Sequence, residues 1–218
     1  RPQEVIRLAI FDLDGTLVDS RQDLYLSVGH ALAALGLPPR SFAEVISFVG
    51  EGAARLVGRA IEPHEHLLEP ALAAWRAHYG EHLLDHTRLY PGVGPALASA
   101  RCALAVQTNK PGDMARRILG GLGVLSRFGA VVGGDEVPRK PDPTGALEIM
   151  ARLGVSPGET VFVGDSRVDQ ETAAAAGVRF LAVSWGFAPL VPLAGDAVIG
   201  DAAELLPWLS GGEPPRQG

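Results

Sequence analysis

Residues Val5 to Phe11 form an almost continuous apolar run, broken only by Arg7. A run of that length without alternation predicts a strand buried on both faces, the kind found in parallel sheets. Beyond Ser20 the spacing changes. Leu24, Val28, Ala31, Leu32 and Leu35 recur at helical intervals, which predicts a helix from Arg21 to Leu35 with Ser20 as its N-cap and Gly36 and Pro38-Pro39 closing it. Ser41 with Glu44 reads as a capping box for a helix toward Val49. Gly50-Glu51-Gly52 breaks the chain before a helix from Ala53 to Ile61. Pro70 stands near the start of a longer helix carrying Leu72, Trp75, Ala77 and Tyr79. No strand pattern occurs between Ser20 and His86, so this stretch of about 70 residues predicts an all-helical insertion the size of a small domain.

After Tyr90-Pro91-Gly92 strands and helices alternate. Val93 to Ala100 reads as a helix, Cys102 to Thr108 as a strand and Pro111 to Leu122 as a helix. Gly129 to Gly133 reads as a strand and Pro143 to Leu153 as a helix. Thr160 to Val163 reads as a strand, Val168 to Ala176 as a helix and Arg179 to Val183 as a strand. Such alternation implies right-handed crossovers and a parallel sheet, an α/β fold. Asp196 to Ile199 reads as a short extra strand, Asp201 caps a last helix through Leu209, and the Gly/Pro-rich residues 211–218 read as a disordered tail. The expected organisation is an α/β core made of residues 1–18 and 89–210, with residues 19–88 as the helical insertion.

Composition narrows the role. The 218 residues are 47% hydrophobic and 20% charged, ample material for a core, and the net charge of −6 without a Lys/Arg run argues against nucleic-acid binding. No apolar stretch reaches membrane-spanning length and none reads as a signal peptide. Cys102, the single cysteine, cannot form an internal disulfide and reads as buried filler, which fits a cytoplasmic protein. Monomer and homodimer both stay open. All six histidines fall in the helical stretch, and on an unbroken helix His78, His82 and His86 would share a face. Without a cysteine or a His-Glu-x-x-His pattern beside them, a solvated face is the better reading than a zinc site.

The chemistry gathers at the strand ends. Asp12 and Asp14 follow the first strand, with Gly15 next. In an extended segment their side chains would point the same way and repel unless a cation lies between them, and Mg²⁺ suits carboxylate oxygens and phosphate. Asp-x-Asp-Gly alone would read as a turn. The later strand ends change that. Thr108, after the next core strand, brings a hydroxyl and free backbone N–H groups to a helix start, an anion site. Lys140, in Lys-Pro-Asp-Pro, is a charge on a rigid base. Asp165 ends another buried strand, and Asp169 follows a helical turn later. Acids for a divalent metal, with a hydroxyl and a lysine for phosphate, are the parts of a phosphoryl-transfer site. Neither a P-loop nor Gly-x-Gly-x-x-Gly follows a strand, which excludes those nucleotide folds.

The four motifs in this order resemble the haloacid dehalogenase (HAD) superfamily of phosphatases over nearly the whole chain. Asp-Leu-Asp-Gly-Thr-Leu-Val-Asp-Ser from Asp12, and Gly-Asp-Ser-Arg-Val-Asp from Gly164, are specific signatures, as is Ala176-Gly177-Val178 after the Ala-rich helix. The resemblance implies a Rossmann-like parallel sheet core with an all-helical cap of the C1 type. Val49-Gly50-Glu51-Gly52 with Leu56 and Arg59-Ala60, Tyr90-Pro91-Gly92-Val93, Thr108-Asn109-Lys110-Pro111 and Trp185-Gly186-Phe187 are most similar to the phosphoglycolate phosphatases.

That resemblance implies roles residue by residue. Asp12 would be the nucleophile that forms an aspartyl-phosphate, and Asp14 the general acid and then base. Asp12, the backbone carbonyl of Asp14, and Asp165 would bind Mg²⁺, supported by Asp169. Thr108, backbone N–H groups around Leu13 and Asn109, and Lys140 would hold the phosphoryl oxygens. In the cap, Gly50 and Gly52 could offer N–H groups to a small anion such as a carboxylate, and Arg59 a charge. The expected substrate is a small phosphorylated metabolite, 2-phosphoglycolate first. The alternatives are a phosphatase for a sugar phosphate or pyrophosphate, a β-phosphoglucomutase-like mutase, which Thr16 disfavours, or a catalytically silent binding protein.

Overall fold

The computed structural model describes residues 5–187 and 197–211. A six-stranded parallel sheet forms the centre. Its strands are β1 (Leu8–Phe11) and, after the insertion, β4 (Ala103–Gln107), β5 (Ala130–Val132), β6 (Thr160–Gly164), β7 (Arg179–Val183) and β8 (Ala197–Ile199), in the order β5-β4-β1-β6-β7-β8. Two further strands, β2 (Val18–Asp19) and β3 (Arg88–Leu89), form a separate antiparallel ribbon. Each later strand of the sheet is close to its sequence reading. Asp196 and residues 212–218 lie outside the described residues.

Period-two alternation sorts the side chains of the sheet. Leu8, Ile10, Ala105 and Phe162 face one side, under α7 (Thr144–Leu153) and α8 (Arg167–Ala176). Ala9, Phe11, Leu104, Val106, Val161 and Val163 face the other, under α5 (Val93–Ser99), α6 (Gly112–Gly121) and α9 (Leu206–Leu209). Both faces are therefore covered, and that explains the unbroken apolar run in β1. Phe11 pairs with Val106 on one side and Val163 on the other. The residues that follow β1, β4 and β6 thus emerge side by side at one sheet edge. The chain runs outward from β1 in both directions, so this is also the crevice where open α/β sheets take ligands.

The insertion is helical, as its pattern predicts: α1 (Arg21–Ala34), α2 (Phe42–Ser47), α3 (Ala53–Ile61) and α4 (Leu68–Glu81). Its apolar face, with Leu24, Val28, Leu56, Val57, Trp75 and Tyr79, is continuous with the core on the α5–α6 side of the sheet. Several local readings change. Ser41 and Glu44 do form the capping box of α2. Ser20 occupies the N-cap place of α1 but makes no cap bond, because its hydroxyl is given to the Asp14 carboxylate. Cys102 is half-buried rather than buried, and burial raises its thiol above the usual range.

The histidines do not share one helix face. The helix ends at Glu81, so His86 lies beyond it and touches Asp23 instead. His78 and His82 stack at 4.3 Å, and His30 of α1 stacks on His78 at the same distance. Burial, with the charges that His30 and His82 would carry, holds His78 below its ordinary value and favours a neutral ring. Among the described residues no histidine belongs to a group with converging metal-ligand atoms.

Asp23 ties the two ends of the insertion together. Its buried carboxylate accepts from the backbone N–H groups of His86 and Thr87 and from the Thr87 hydroxyl, just ahead of β3. Burial alone would raise its pKa, but the bonds from Thr87 and His86 outweigh this and hold it below the ordinary value. A depressed carboxyl pKa adds stability that is present above the unfolded value of about 3.9 and fades as pH falls through the folded one. Asp23→Asn should therefore cost roughly 3 kcal/mol at pH 7, where these three donors lose a charged acceptor. In urea melts the gap between variant and wild type should narrow at pH 3.

Candidate active site

Asp12 follows β1 directly, and Asp165 follows β6 on the neighbouring strand. Asp169 comes from the first turn of α8. One carboxylate oxygen from each lies within 4.8 Å of the others, a group of hard oxygen donors that could hold a divalent cation. Each acid is fixed from outside. Asp12 Oδ1 accepts from the Leu13 N–H at 2.7 Å. Asp165 accepts from the Thr16 hydroxyl at 3.2 Å and from the Phe187 N–H at 2.8 Å. Asp169 Oδ2 accepts from Ser166 Oγ at 2.6 Å in the capping box of α8. Gly15 is needed for this crowding. Its φ is 87°, and a Cβ there would stand 2.3 Å from Asp165 Oδ2.

Lys140 enters this cluster as its counter-charge. Its Nζ lies 2.7 Å from Asp12 Oδ1 and 2.7 Å from Asp169 Oδ1. Burial opposes the ammonium, but the two carboxylates outweigh burial and hold its pKa above the ordinary value. Asp12 is pushed well up by burial and by Asp169, against the pull of Lys140, and Asp165 is raised by burial and then by Asp169. Three acids and one lysine leave an excess of negative charge in a dry place. That is the situation a divalent cation relieves.

Asp14 points elsewhere. Its carboxylate accepts from Ser20 and stands 3.2 Å from the Nζ of Lys110. The expectation that Asp12 and Asp14 project together into one cation site is corrected, because the chain turns at Asp14 and Gly15 instead of running on as a strand. The group of converging ligand atoms holds Asp12, Asp165 and Asp169, without the Asp14 carboxylate. Asp12 and Asp14 nevertheless share a cavity of about 40 Å³.

The loop after β4 supplies the rest. Thr108 is buried in the cavity wall, and its Oγ1 accepts from the Lys110 N–H at 3.1 Å, so its own O–H stays available to donate. The Asn109 side chain is fully engaged. Its Oδ1 accepts from the Lys140 N–H at 2.8 Å, and its Nδ2 donates to the carbonyls of Lys140 at 3.1 Å and Gly50 at 3.0 Å. It holds two loops together, and only its backbone is left for a ligand.

The insertion closes the cavity from above. Gly50 and Gly52 stand in its wall with Leu24, Ala53, Leu56 and Trp75. Arg59 does not line it. Its guanidinium is bound to Glu51 at 2.8 Å, which corrects the expectation that it faces the ligand. Lys110, Tyr79 and Trp75 carry polar groups at or beside this cavity that sequence reasoning passed over. Lys110 Nζ meets Tyr79 Oη at 2.6 Å and lies 4.5 Å from its ring centroid. Asp14, against burial, pulls the Lys110 pKa up to about 12, so it is an ammonium at neutral pH. The only signal for it in the sequence is its place two residues past Thr108.

The family model described as haloacid dehalogenase-like hydrolase matches residues 9–183. Among curated proteins, the phosphoglycolate phosphatase of Chromobacterium violaceum is 38% identical over 217 residues, covering 95% of this chain and 98% of that protein. The phosphoglycolate phosphatase of Rhodospirillum rubrum is 39% identical, covering 95% and 92%. Among solved structures, a predicted phosphoglycolate phosphatase from Haemophilus somnus superposes with a TM-score of 0.86 at 33% identity, covering 92% of this chain and 96% of that one.

The carboxylate group makes a stability test. Magnesium at about a hundred times its dissociation constant should stabilise the fold by about 2.7 kcal/mol, a rise in Tm of roughly 5–10 °C. Asp165→Asn should remove most of that rise. Thermal melts with and without chelator, on both proteins, measure it.

Proposed function

The chain belongs to the haloacid dehalogenase-like hydrolases and is a phosphatase, and from that premise we propose that it hydrolyses 2-phosphoglycolate to glycolate and phosphate through an aspartyl-phosphate on Asp12. The observation that carries this reading is the meeting of Asp12 and Asp14 in one small cavity, with the carboxylate group below it and helices of the insertion above.

Asp12 is the nucleophile. The bonds from Leu13 and Lys140 both fall on Oδ1. Among the described residues Oδ2 has no hydrogen-bond partner, and it is the oxygen that attacks phosphorus. Lys140, with the Thr108 hydroxyl and the backbone N–H groups of Leu13 and Asn109, steadies the phosphoryl oxygens. Asp14 gives its proton to the departing glycolate oxygen and then takes one from the water that releases phosphate, so one carboxyl serves both halves of the reaction. Mg²⁺, held by Asp12, the Asp14 carbonyl and Asp165 with Asp169 in support, would supply charge neutralisation for the meeting of carboxylate and phosphate dianion.

Residues 19–88 act as a cap over the core of residues 1–18 and 89–210. The β2–β3 ribbon is where both connections cross, and Tyr90 N–H also bonds to the Leu17 carbonyl at 3.0 Å, so the tethers move as a pair. Closing such a lid excludes water while Asp12 attacks.

Two outcomes are expected. In a screen of phosphorylated metabolites 2-phosphoglycolate should rank above sugar phosphates and pyrophosphate, activity should vanish in EDTA and return with Mg²⁺, and Ca²⁺ should not replace it, because its looser coordination misplaces the attacking oxygen. A screen led by a sugar phosphate would overturn the substrate. Asp12→Asn should keep its fold and lose at least about a thousandfold in turnover, roughly 4 kcal/mol of barrier. Turnover within tenfold of wild type would remove Asp12 as nucleophile.

A further inference from the structure

The ammonium of Lys110 is buried, yet it sits outside the carboxylate group that Lys140 serves. An ammonium carries three N–H donors and no acceptor. Tyr79 Oη takes one at 2.6 Å, and Asp14 Oδ1 lies 3.2 Å away. Among the described residues the third has no partner. Trp75 lines the same wall, and a second unmet donor is buried behind it. Trp75 is 2% exposed, and its indole Nε1–H has no hydrogen-bond partner. Leaving a donor unpaired in a dry interior is costly, and such groups in a cavity wall point to an acceptor that arrives with a ligand. Gly52, with φ 90° and no side-chain cap for α3, and Ala53 complete this part of the wall. The Gly50 carbonyl, an acceptor here, is already taken by Asn109.

We propose that Lys110 and Trp75 form a second anion subsite, which binds a carboxylate one carbon away from the ester oxygen of the phosphomonoester. The proposal rests on the reading of 2-phosphoglycolate as substrate and says which residues select it. Its geometry follows from Asp14. That carboxyl must touch the ester oxygen to protonate it, and Lys110 touches Asp14. The ammonium therefore reaches groups one or two bonds from that oxygen, and a carboxylate on the adjacent carbon falls in its range. Arg59 cannot serve instead, since Glu51 holds it outside the cavity. Lys110 and Trp75 come from opposite sides, the loop after β4 and helix α4, so the subsite is complete only with the insertion in place.

The test compares kcat/KM for 2-phosphoglycolate and for 2-hydroxyethyl phosphate, in which a neutral hydroxymethyl group replaces the carboxylate. Wild type should prefer the acid. Truncating one partner of a buried charge pair costs about thirtyfold to several thousandfold, so Lys110→Met should lose at least about tenfold more on the acid than on the neutral ester. Lys110→Arg should regain part of that preference, and Trp75→Phe should lose several-fold more on the acid, chiefly in KM. Equal losses on both substrates for Lys110→Met and Trp75→Phe would assign these residues to packing and to Asp14, and would overturn the subsite. If Lys110→Met does not fold, by circular dichroism, Lys110→Arg and Trp75→Phe decide the matter by the same ratio. A wild type without preference for the acid would instead refute the substrate reading. A wild-type preference that all variants keep would refute the subsite alone.

Discussion

Burying Asp12, Asp165 and Asp169 at one edge of the sheet is the constraint on which the rest of the structure turns. Burial raises the cost of ionising Asp12 and Asp165, and the Asp169 carboxylate adds to it at both. The fold meets this with Lys140, placed between Asp12 and Asp169 at 2.7 Å from each. Much of the surrounding architecture holds these groups in place. Gly15 gives room beside Asp165, Ser166 fixes Asp169 as the cap of α8, and the Asn109 amide fixes the Lys140 loop. An acid group this tightly held stays repulsive, because it cannot relax apart. That repulsion is what a bound divalent cation relieves.

The strands and their acidic ends were legible in the sequence, for a local reason. β1, β4 and β6 are buried on both faces, so their apolar runs carry no competing signal, and an acid at the end of such a run stands out. The crossover rule then places Asp12, Thr108 and Asp165 together without any knowledge of contacts. The helices α1 to α4 were legible from period and caps. What failed were choices of partner and helix end that hydrophobic period does not decide. Ser20 looks like an N-cap, but Asp14 offers a charged acceptor and takes its hydroxyl. Arg59 looks like a ligand for an anion, but Glu51 reaches it first across the helix start. His86 looks like part of a helix face, but α4 stops at Glu81. Lys110 stood in the sequence only as part of Thr108-Asn109-Lys110-Pro111, with no role attached. Its meaning depends on Tyr79, on a different helix, and on Asp14.

The insertion and the core share one apolar cluster, yet their polar contacts across the cavity are few and specific. Lys110 meets Tyr79, and Asn109 meets Gly50. Both come from the single loop after β4, which also carries Thr108. The loop that walls the cavity at Thr108 is thus the same loop that feels where the helices are.

The Asn109 amide makes a three-way junction among the end of β4, the Lys140 loop and the Gly50 carbonyl. This limits how such an enzyme can be rebuilt. A grafted or redesigned helical insertion must still present a carbonyl where Gly50 stands, whatever new substrate its other residues are chosen to fit. Without it, the amide that positions the Lys140 loop loses one of its three anchors. Selectivity and reactivity are then separable in the helices at large but inseparable at residue 50, and a combinatorial library aimed at new substrates should leave that backbone alone.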